Sequence, residues 1–291
     1  MRRLIIAVAI ATRGRADTLA ELIPHLAAQT RPADMLVFSA ERPSDLGDLT
    51  MGERIFGSPG VSAQRNRALK AVAKRADIIV FFDDDFVPVP SALEEIEALF
   101  SVRDDVVAAT GRVIADGIGG EPISDAAARA MINADRTGLD DEVPVVGLYG
   151  CNMAIRVNAA RDTWFDEALP LYGWQEDLDF GARLRSRGAV IRTSRFGGVH
   201  RGVRSARLPQ RGFGYAQVAN PVHLMAAPCA PRWYLAKLML RNIGANLFGA
   251  LGARLGREDP WTDRTGRLAG NVMALTDLMR GRLSPARAVE L

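Results

Sequence analysis

The feature that most constrains the fold is a repeated alternation between short, wholly apolar segments and segments with helical spacing. Residues 4–11 are apolar on both faces, which is typical of a central parallel strand, and residues 16–29 follow with apolar side chains at helical intervals. Strands that alternate with helices predict an α/β fold with a doubly wound, mostly parallel sheet, which binds ligands at the carboxyl ends of its strands. Further strands are predicted at 35–39, 78–82, 106–110, 145–155 and 190–193, and further helices at 62–75, 91–100 and 176–187.

Two local features refine the first part of the chain. Ser91 and Glu94 match a capping box at the start of the helix predicted to end near Phe100. Residues 115–144 are polar and weakly patterned, so we expect a loop with a short helix near 126–132, which would suit a mobile lid.

The pattern changes near residue 232, where helical spacing continues to a second helix at 269–280 without an intervening strand. We therefore expect one domain over residues 1–220, with halves at about 1–114 and 145–220. A helical, basic C-terminal extension is expected over residues 221–291.

The charge is distributed unevenly along the chain. The formal net charge is only +3, yet no Asp or Glu occurs between Phe180 and Arg257. Residues 220–291 carry a net charge of +5, and residues 1–219 carry −2. Such a basic block favours phosphates, acidic lipid or nucleic acid as partners, while a coding preference for arginine over lysine is the alternative.

The composition excludes several classes of protein. A content of 48% hydrophobic and 24% charged residues is that of an ordinary globular protein. Cys151 and Cys229 are too few for a disulfide framework or structural zinc, which predicts a reducing compartment. The apolar run at 4–11 leads into Thr12 without a cleavage site, so we interpret it as a buried strand instead of a signal peptide. No run of about 18 apolar residues occurs, and no transmembrane helix is predicted.

Three consecutive aspartates, Asp83 to Asp85, follow the apolar strand at 78–82. Neighbouring like charges repel, and a divalent cation that also binds substrate phosphates relieves the repulsion efficiently. A solvated, aspartate-rich turn is the alternative. Neither G-x-G-x-x-G nor G-x-x-x-x-G-K-[ST] occurs, which argues against a dinucleotide site or a P-loop.

Five sequence blocks in series carry a resemblance to a known family. They are Leu4 to Arg15, Ala63 to Arg67, Phe81 to Asp85, Gly150 to Met153, and Trp174 to Asp179 with Arg183. In this order, over about residues 4–202, the chain resembles glycosyltransferase family 2. The resemblance implies the GT-A fold, a nucleotide-diphosphate sugar as donor, Mn²⁺ or Mg²⁺ held through a DXD motif, and inversion at the anomeric carbon. It also implies that residues 1–114 bind the nucleotide sugar and residues 145–220 bind the acceptor.

Site residues are carried over by position from this resemblance. Asp85 corresponds to the metal ligand, and His200 to a late histidine that completes the metal shell or contacts the diphosphate. A structural role for His200 is equally open. Ser39 stands where the family usually has an aspartate that reads the base, so the identity of the nucleotide is open. The implied donor-binding residues are Thr12, Arg15, Ser39, Arg65, Asp83 and Asp84.

Inverting transfer needs a base that removes the proton of the acceptor hydroxyl. Asp177 resembles the second residue of the family's Glu-Asp motif and is our candidate for the base, and Glu176 is the candidate for orienting the acceptor. The alternative is that these acids only stabilise the N-terminus of a helix.

The expected acceptor is a glycan or a lipid-linked saccharide in surface polysaccharide synthesis, handled by a cytoplasmic protein. Residues 232–251 mix aromatic and aliphatic side chains with Lys237 and Arg241. This pattern fits a helix on the inner face of the cell membrane, a helix packed on the domain, or a dimer interface; the oligomeric state is open. A sugar nucleotidyltransferase and an anion-binding or nucleic-acid-binding module are the competing functions, although an aromatic content of 7% gives no stacking platform, and no nucleic-acid partner is expected.

Overall fold

The alternation of strands and helices predicted from the sequence is present. The computed structural model describes residues 3–136, 141–204, 209–227, 230–257 and 259–291. The strands are β1 (Ile6–Ala11), β2 (Met35–Ala40), β3 (Glu53–Phe56), β4 (Ile78–Asp83), β5 (Phe86–Pro88), β6 (Val106–Asp116), β7 (Glu142–Pro144), β8 (Asn152–Arg156) and β9 (Ala189–His200). The helices are α1 (Ala16–Ala27), α2 (Val61–Val72), α3 (Ala92–Val102), α4 (Asp125–Ala134), α5 (Glu176–Leu184), α6 (Gln210–Ala226), α7 (Arg232–Arg254) and α8 (Arg264–Met279).

The strands form one mixed sheet in the order β3-β2-β1-β4-β8-β6-β9-β5, and β7 pairs with the outer part of β9. The first four strands are parallel to one another, and β8 is antiparallel to both β4 and β6. Consequently β6 and β9, which are parallel to each other, run in the direction of β1. The predicted fold class, α/β with a mostly parallel sheet and C-terminal helices, is confirmed.

Strand β1 is apolar on both faces because it separates two layers of core. Its residues Ile6, Val8 and Ile10 belong to one buried cluster, and Ala7 and Ala9 belong to the other. Helices α1 and α3 cover the first cluster, and α2 and α5 cover the second. A strand between two layers of helices has no solvated side, which explains the continuous apolar run in the sequence.

Several elements were not predicted. Strand β3 is a short edge strand with alternating exposure, and β5 and β7 have three residues each, so none of them carries a strong pattern. Helix α6 contains Gly212, Gly214 and Pro221, which mask its helical spacing. Helix α4 confirms the short helix near 126–132, but β7 replaces the end of the predicted loop. Residues 137–140 of that loop lie outside the described residues.

Two predicted details are wrong. Strand β9 extends to His200 because Gly197 and Gly198 let neighbouring backbone approach; a Cβ at Gly198 would overlap the carbonyl oxygen of Val87 on β5. The capping box of α3 is not formed, since the Ser91 side chain makes no capping hydrogen bond. Glu94 Oε2 instead accepts a hydrogen bond from Thr30 Oγ1 at 2.7 Å, a contact with a distant loop that local sequence does not reveal.

Helices α6, α7 and α8 pack together around a small core and a buried amide network. Asn246 on α7 donates to Gln217 Oε1 at 2.7 Å and to Asn271 Oδ1 at 2.8 Å, which links the three helices. Helix α6 runs through residue 221, where the C-terminal extension is expected to begin. In the part of the chain that is described, no helix is long and apolar enough to cross a membrane. Cys151 is buried, and Cys229 lies outside the described residues.

The close approach of α6 and α8 yields a stability prediction. A Cβ at Gly270 would overlap the carbonyl oxygen of Arg211, whereas one at Gly244 on α7 would meet no atom within 4 Å. Gly244→Ala should raise the free energy of unfolding by about 1 kcal/mol through helix propensity. Gly270→Ala should lower it by about 1–3 kcal/mol because of overpacking. Chemical denaturation of both variants checks this, and equal stabilisation by both would contradict the packing.

Candidate active site

A cleft of about 530 Å³ lies at the carboxyl ends of β1 and β4. It brings together most of the residues singled out from the sequence, which are Thr12, Arg15, Arg65, Asp83, Asp84, Glu176, Asp177 and His200. Asp85 lies just behind the wall, in contact with His200. Helix α7 closes one side with Tyr234, Leu238, Arg241 and Asn242. The C-terminal helices therefore contribute to the cleft, which the sequence did not indicate.

Asp84 is directed into the protein and holds the loop after β1. Its Oδ2 accepts a hydrogen bond from Thr12 Oγ1 at 2.6 Å, and its Oδ1 accepts one from Arg15 Nη1 at 2.8 Å. Burial raises the pKa of Asp84 to about 6, although the charge of Arg15 opposes the rise. Both oxygens are thus engaged, and Asp84 acts on the cleft by positioning Thr12 and Arg15.

Arg65 joins two carboxylates across the floor of the cleft. Its Nη2 donates to Asp83 Oδ1 at 2.8 Å and to the Gly150 carbonyl at 2.9 Å, while Nη1 donates to Glu176 Oε1. The side chain is 3% exposed and lies beside the ring of Phe81. Its guanidinium is therefore occupied by protein groups.

Asp83, Asp85 and His200 form a cluster that fits a divalent cation. One ligand atom from each lies within 4.8 Å of the others, and His200 Nε2 is 3.3 Å from Asp85 Oδ1 and 3.9 Å from Asp83 Oδ2. Two carboxylates and one imidazole are ligands that Mn²⁺ accepts. Burial alone would lower the pKa of His200, but the Asp116 and Asp85 carboxylates outweigh it and raise it to about 10. The same contacts lower the pKa of Asp85 to about 2 against the effect of burial.

Asp116 and Tyr149 complete this cluster and were missed by sequence reasoning. Asp116 Oδ1 lies 3.1 Å from His200 Nδ1, and its Oδ2 accepts a hydrogen bond from Tyr149 Oη at 2.6 Å. A carboxylate on the second ring nitrogen fixes the orientation of a histidine ligand. Asp116 stands at the end of β6, six residues beyond the predicted end of that strand, and no motif marks it.

Asp177 lies at the start of α5 with its carboxylate held by backbone amides. Gly150 N donates to Oδ2 at 2.6 Å, and Leu178 N donates to Oδ1 at 2.7 Å. A Cβ at Gly150 would lie 2.8 Å from Arg65 Nη1 and 3.1 Å from Asp177 Oδ2, so a larger residue there would displace these side chains. Burial raises the pKa of Asp177, opposed by the charge of Arg65. Asp177 is half-buried, whereas Glu176 is 5% exposed and burial raises its pKa well above the usual range.

The segment that precedes α5 is conformationally strained. Leu171 and Gln175, with φ of 45° and 74°, are the non-glycine residues of the described chain with positive φ. They flank Tyr172 and Trp174 in the wall of the cleft. Strained backbone persists where the surroundings enforce it, and it concentrates at functional sites.

Ser39 differs from the other donor-binding candidates because it is completely buried and does not line the cleft. Its carbonyl accepts hydrogen bonds from Thr12 N at 3.1 Å and from Gln64 Nε2 at 2.8 Å. Gln64 also donates to the Thr12 carbonyl at 2.6 Å. Gln64, which the sequence did not single out, therefore separates Ser39 from the cleft.

The buried position of Arg65 generates a prediction. Arg65→Leu leaves Glu176 and Asp83 without their shared cation, so we expect a loss of about 3–5 kcal/mol in the free energy of unfolding. Arg75→Leu, which breaks the exposed pair with Glu53, is the matched control and should cost about 0–1 kcal/mol. Urea denaturation of both variants provides the measurement. Equal losses would mean that the buried ion pairs contribute no more than a surface pair.

Comparison with known proteins gives a family match for part of the chain and similar folds for most of it. A family model described as glycosyl transferase family 2 matches residues 53–164, from β3 to the segment after β8. No curated protein sequence matches the chain. Similar solved structures include the mannosyltransferase PcManGT from Pyrobaculum calidifontis, solved with GDP-Man and Mn²⁺. It has a TM-score of 0.58 and 15% identity over 95% of this chain and 88% of that one.

Two further structures have the same architecture. Residues 1–349 of S. aureus TarS, in complex with UDP-GlcNAc, give a TM-score of 0.53 at 14% identity, over 95% of this chain and 92% of that one. GalNAc-T7, solved with UDP, GalNAc and Mn²⁺, gives a TM-score of 0.52 at 15% identity, over 81% of this chain and 54% of that one. At these identities the likeness concerns the fold alone. Residues 53–164 thus match the glycosyltransferase family 2 model, and the chain has the GT-A fold of these glycosyltransferase structures.

Proposed function

We propose that this protein is a metal-dependent, inverting glycosyltransferase that moves a sugar from a nucleotide-diphosphate sugar to a hydroxyl group. One observation carries the proposal: Asp83, Asp177 and His200 line one cleft, and Asp85 lies directly behind its wall beside His200. Asp83 and Asp85 also fall within the residues that match the family 2 model. The GDP-Man, UDP-GlcNAc and Mn²⁺ bound to structurally similar proteins support it.

The metal would be held by Asp85 and His200, and Asp83 would contact the nucleotide, as in a DXD motif. When bound, Mn²⁺ or Mg²⁺ neutralises charge on the departing diphosphate. His200 would bind a cation only as the neutral imidazole, and because the neighbouring carboxylates raise its pKa to about 10, His200 would have to lose a proton first. Asp116 holds the other ring nitrogen and keeps the imidazole directed at the cluster.

The donor phosphates would lie near Thr12 and Arg15, which Asp84 holds in the wall of the cleft. Arg15 Nη2 also donates to the Val203 carbonyl at 2.8 Å. This contact fixes the guanidinium in the part of the cleft where the donor phosphates would lie. A cation that is already positioned loses little entropy on binding an anion. Ser39 is completely buried and would not contact the nucleobase of the donor. We therefore propose no particular nucleobase.

Inversion requires the acceptor oxygen to attack the anomeric carbon from the face opposite to the diphosphate while a base takes its proton. Asp177 suits this role because its carboxylate is fixed, reaches the cleft, and has a raised pKa that strengthens it as a base. Glu176 lies beside it with Oε1 paired to Arg65, and Oε2 has no hydrogen-bond partner among the described residues. Glu176 would orient the acceptor.

The proposed acceptor is a glycan or a lipid-linked saccharide of surface polysaccharide synthesis, reached by peripheral contact with the inner face of the cell membrane. Support comes from α7, which forms one wall of the cleft within the stretch that carries no carboxylate. The cleft lining includes Arg15 and Arg241, and such cationic side chains favour an anionic acceptor.

The metal assignment predicts the behaviour of Asp85→Ala. The remaining aspartates cannot replace its oxygen in the cluster, so Mn²⁺-dependent affinity for nucleoside diphosphates should fall at least about tenfold. Asp104→Ala, which removes an exposed aspartate after α3, is the control and should leave that affinity unchanged. Isothermal titration with and without Mn²⁺ measures both. Wild-type affinity in Asp85→Ala would refute the metal assignment.

The base assignment predicts that Asp177→Asn keeps donor affinity within a few fold and lowers kcat by about 10²–10⁴. The wild-type rate should fall as pH decreases through the raised pKa of Asp177, because only the carboxylate accepts a proton. The acidic limb should therefore lie above the ordinary aspartate pKa of about 3.9. Steady-state kinetics across pH test this. An inactive Glu176→Gln beside an active Asp177→Asn would reverse the two roles.

A further inference from the structure

Helix α7 presents three different faces around its 23 residues. At 100° per residue, the buried residues Leu235, Asn246 and Ala250 lie on one face and pack against the other C-terminal helices. The adjoining face contributes Tyr234, Leu238, Arg241 and Asn242 to the wall of the cleft. Neither contact involves the remaining third of the helix.

The third face carries an apolar stripe of six large, exposed side chains. They are Trp233 (67% exposed), Leu240 (62%), Leu247 (43%), Phe248 (74%), Leu251 (47%) and, directly after the last residue of the helix, Leu255 (77%). Helical geometry places them within an arc of about 100°, the width of the face that a helix normally buries. Such a continuous exposed patch indicates an interaction surface.

The charges beside the apolar stripe identify the partner. Lys237 is exposed within the arc of the stripe and Arg241 is exposed at its edge, and neither has an acidic or hydrogen-bonding partner among the residues that the structure covers. No carboxylate occurs from residue 180 to residue 257. A second copy of the chain in a symmetric dimer would bring these cations together. An anionic lipid surface instead accepts the stripe in its apolar region and the cations at its headgroups.

We infer that the apolar stripe of α7 binds to an anionic bilayer, with the helix lying in the plane of the interface. Because the cleft wall is the adjoining face of the same helix, this places the mouth of the cleft at the lipid surface. Binding of α7 to the bilayer does not depend on the proposed function. Its consequence, that a lipid-linked acceptor reaches Asp177 from the bilayer, rests on that function.

The test is co-sedimentation of the full chain, without nucleotide, with vesicles of phosphatidylcholine alone or mixed with phosphatidylglycerol. Wild type should bind the anionic vesicles, more weakly as salt rises. Trp233→Ser/Leu240→Ser/Phe248→Ser should lose at least about tenfold in affinity. Met51→Ser/Val102→Ser/Met131→Ser, which removes three exposed apolar side chains from other elements, is the matched control and should bind as wild type.

Charge and folding are checked separately. Lys237→Gln/Arg254→Gln removes Lys237 and the exposed arginine at the C-terminal end of α7. It should reduce binding to anionic vesicles and flatten its salt dependence. Point variants are used because truncation after Pro221 would divide α6 and expose its core. Every variant should keep the wild-type melting temperature and Mn²⁺-dependent nucleotide binding, since none of the substituted residues lies in the cleft.

Three results would overturn the inference: no binding of wild type to phosphatidylglycerol vesicles at low salt, unchanged binding by the stripe variant, or a wild-type dimer that the stripe variant dissociates. The last would assign the stripe to a second copy. Failure of the proposed function would appear differently, as vesicle binding by a protein that binds no nucleotide sugar.

Discussion

Three carboxylates in sequence at the end of a buried strand impose the constraint on which this site depends. Their mutual repulsion is relieved because each is directed to a different cation: Asp83 to Arg65, Asp84 to Arg15, and Asp85 to His200. Each cation belongs to a different part of the fold, so satisfying the three charges fixes the loop after β1, the helix α2 and the end of β9 relative to β4. The arrangement leaves Asp83, Asp85 and His200 close enough to share one cation.

The central strands and the position of the aspartates could be predicted from the sequence. A strand between two helical layers is apolar on both faces, so polar residues appear only where the strand ends. Asp83 to Asp85 lie at the end of such a strand. The Glu176–Asp177 pair was recognised separately, as acidic residues at the start of a helix. The resemblance to family 2 added roles, and the family model over residues 53–164 supports the resemblance. The structure confirms the mostly parallel sheet and the C-terminal helices.

What the sequence could not give depends on partners that are distant along the chain. From the sequence, Arg65 is predicted to contact the donor. In the structure it is buried and paired with Asp83 and Glu176, which are 18 and 111 residues away along the chain. Asp116 and Gln64 have no local motif, and their roles arise only when β6 and α2 meet the cleft. Helix α7 is apolar on two faces, so its spacing alone did not reveal that one face is buried, one lines the cleft and one is exposed.

The central claim is that the carboxylate and histidine cluster holds a divalent cation together with a nucleoside diphosphate. Anomalous diffraction from crystals grown with Mn²⁺ and a nucleoside diphosphate tests it most directly. We predict a manganese peak within coordination distance of Asp85 and His200, and a diphosphate bound between this peak and Arg15. A nucleotide bound in the cleft with no manganese at these two residues, or manganese bound elsewhere, would contradict it.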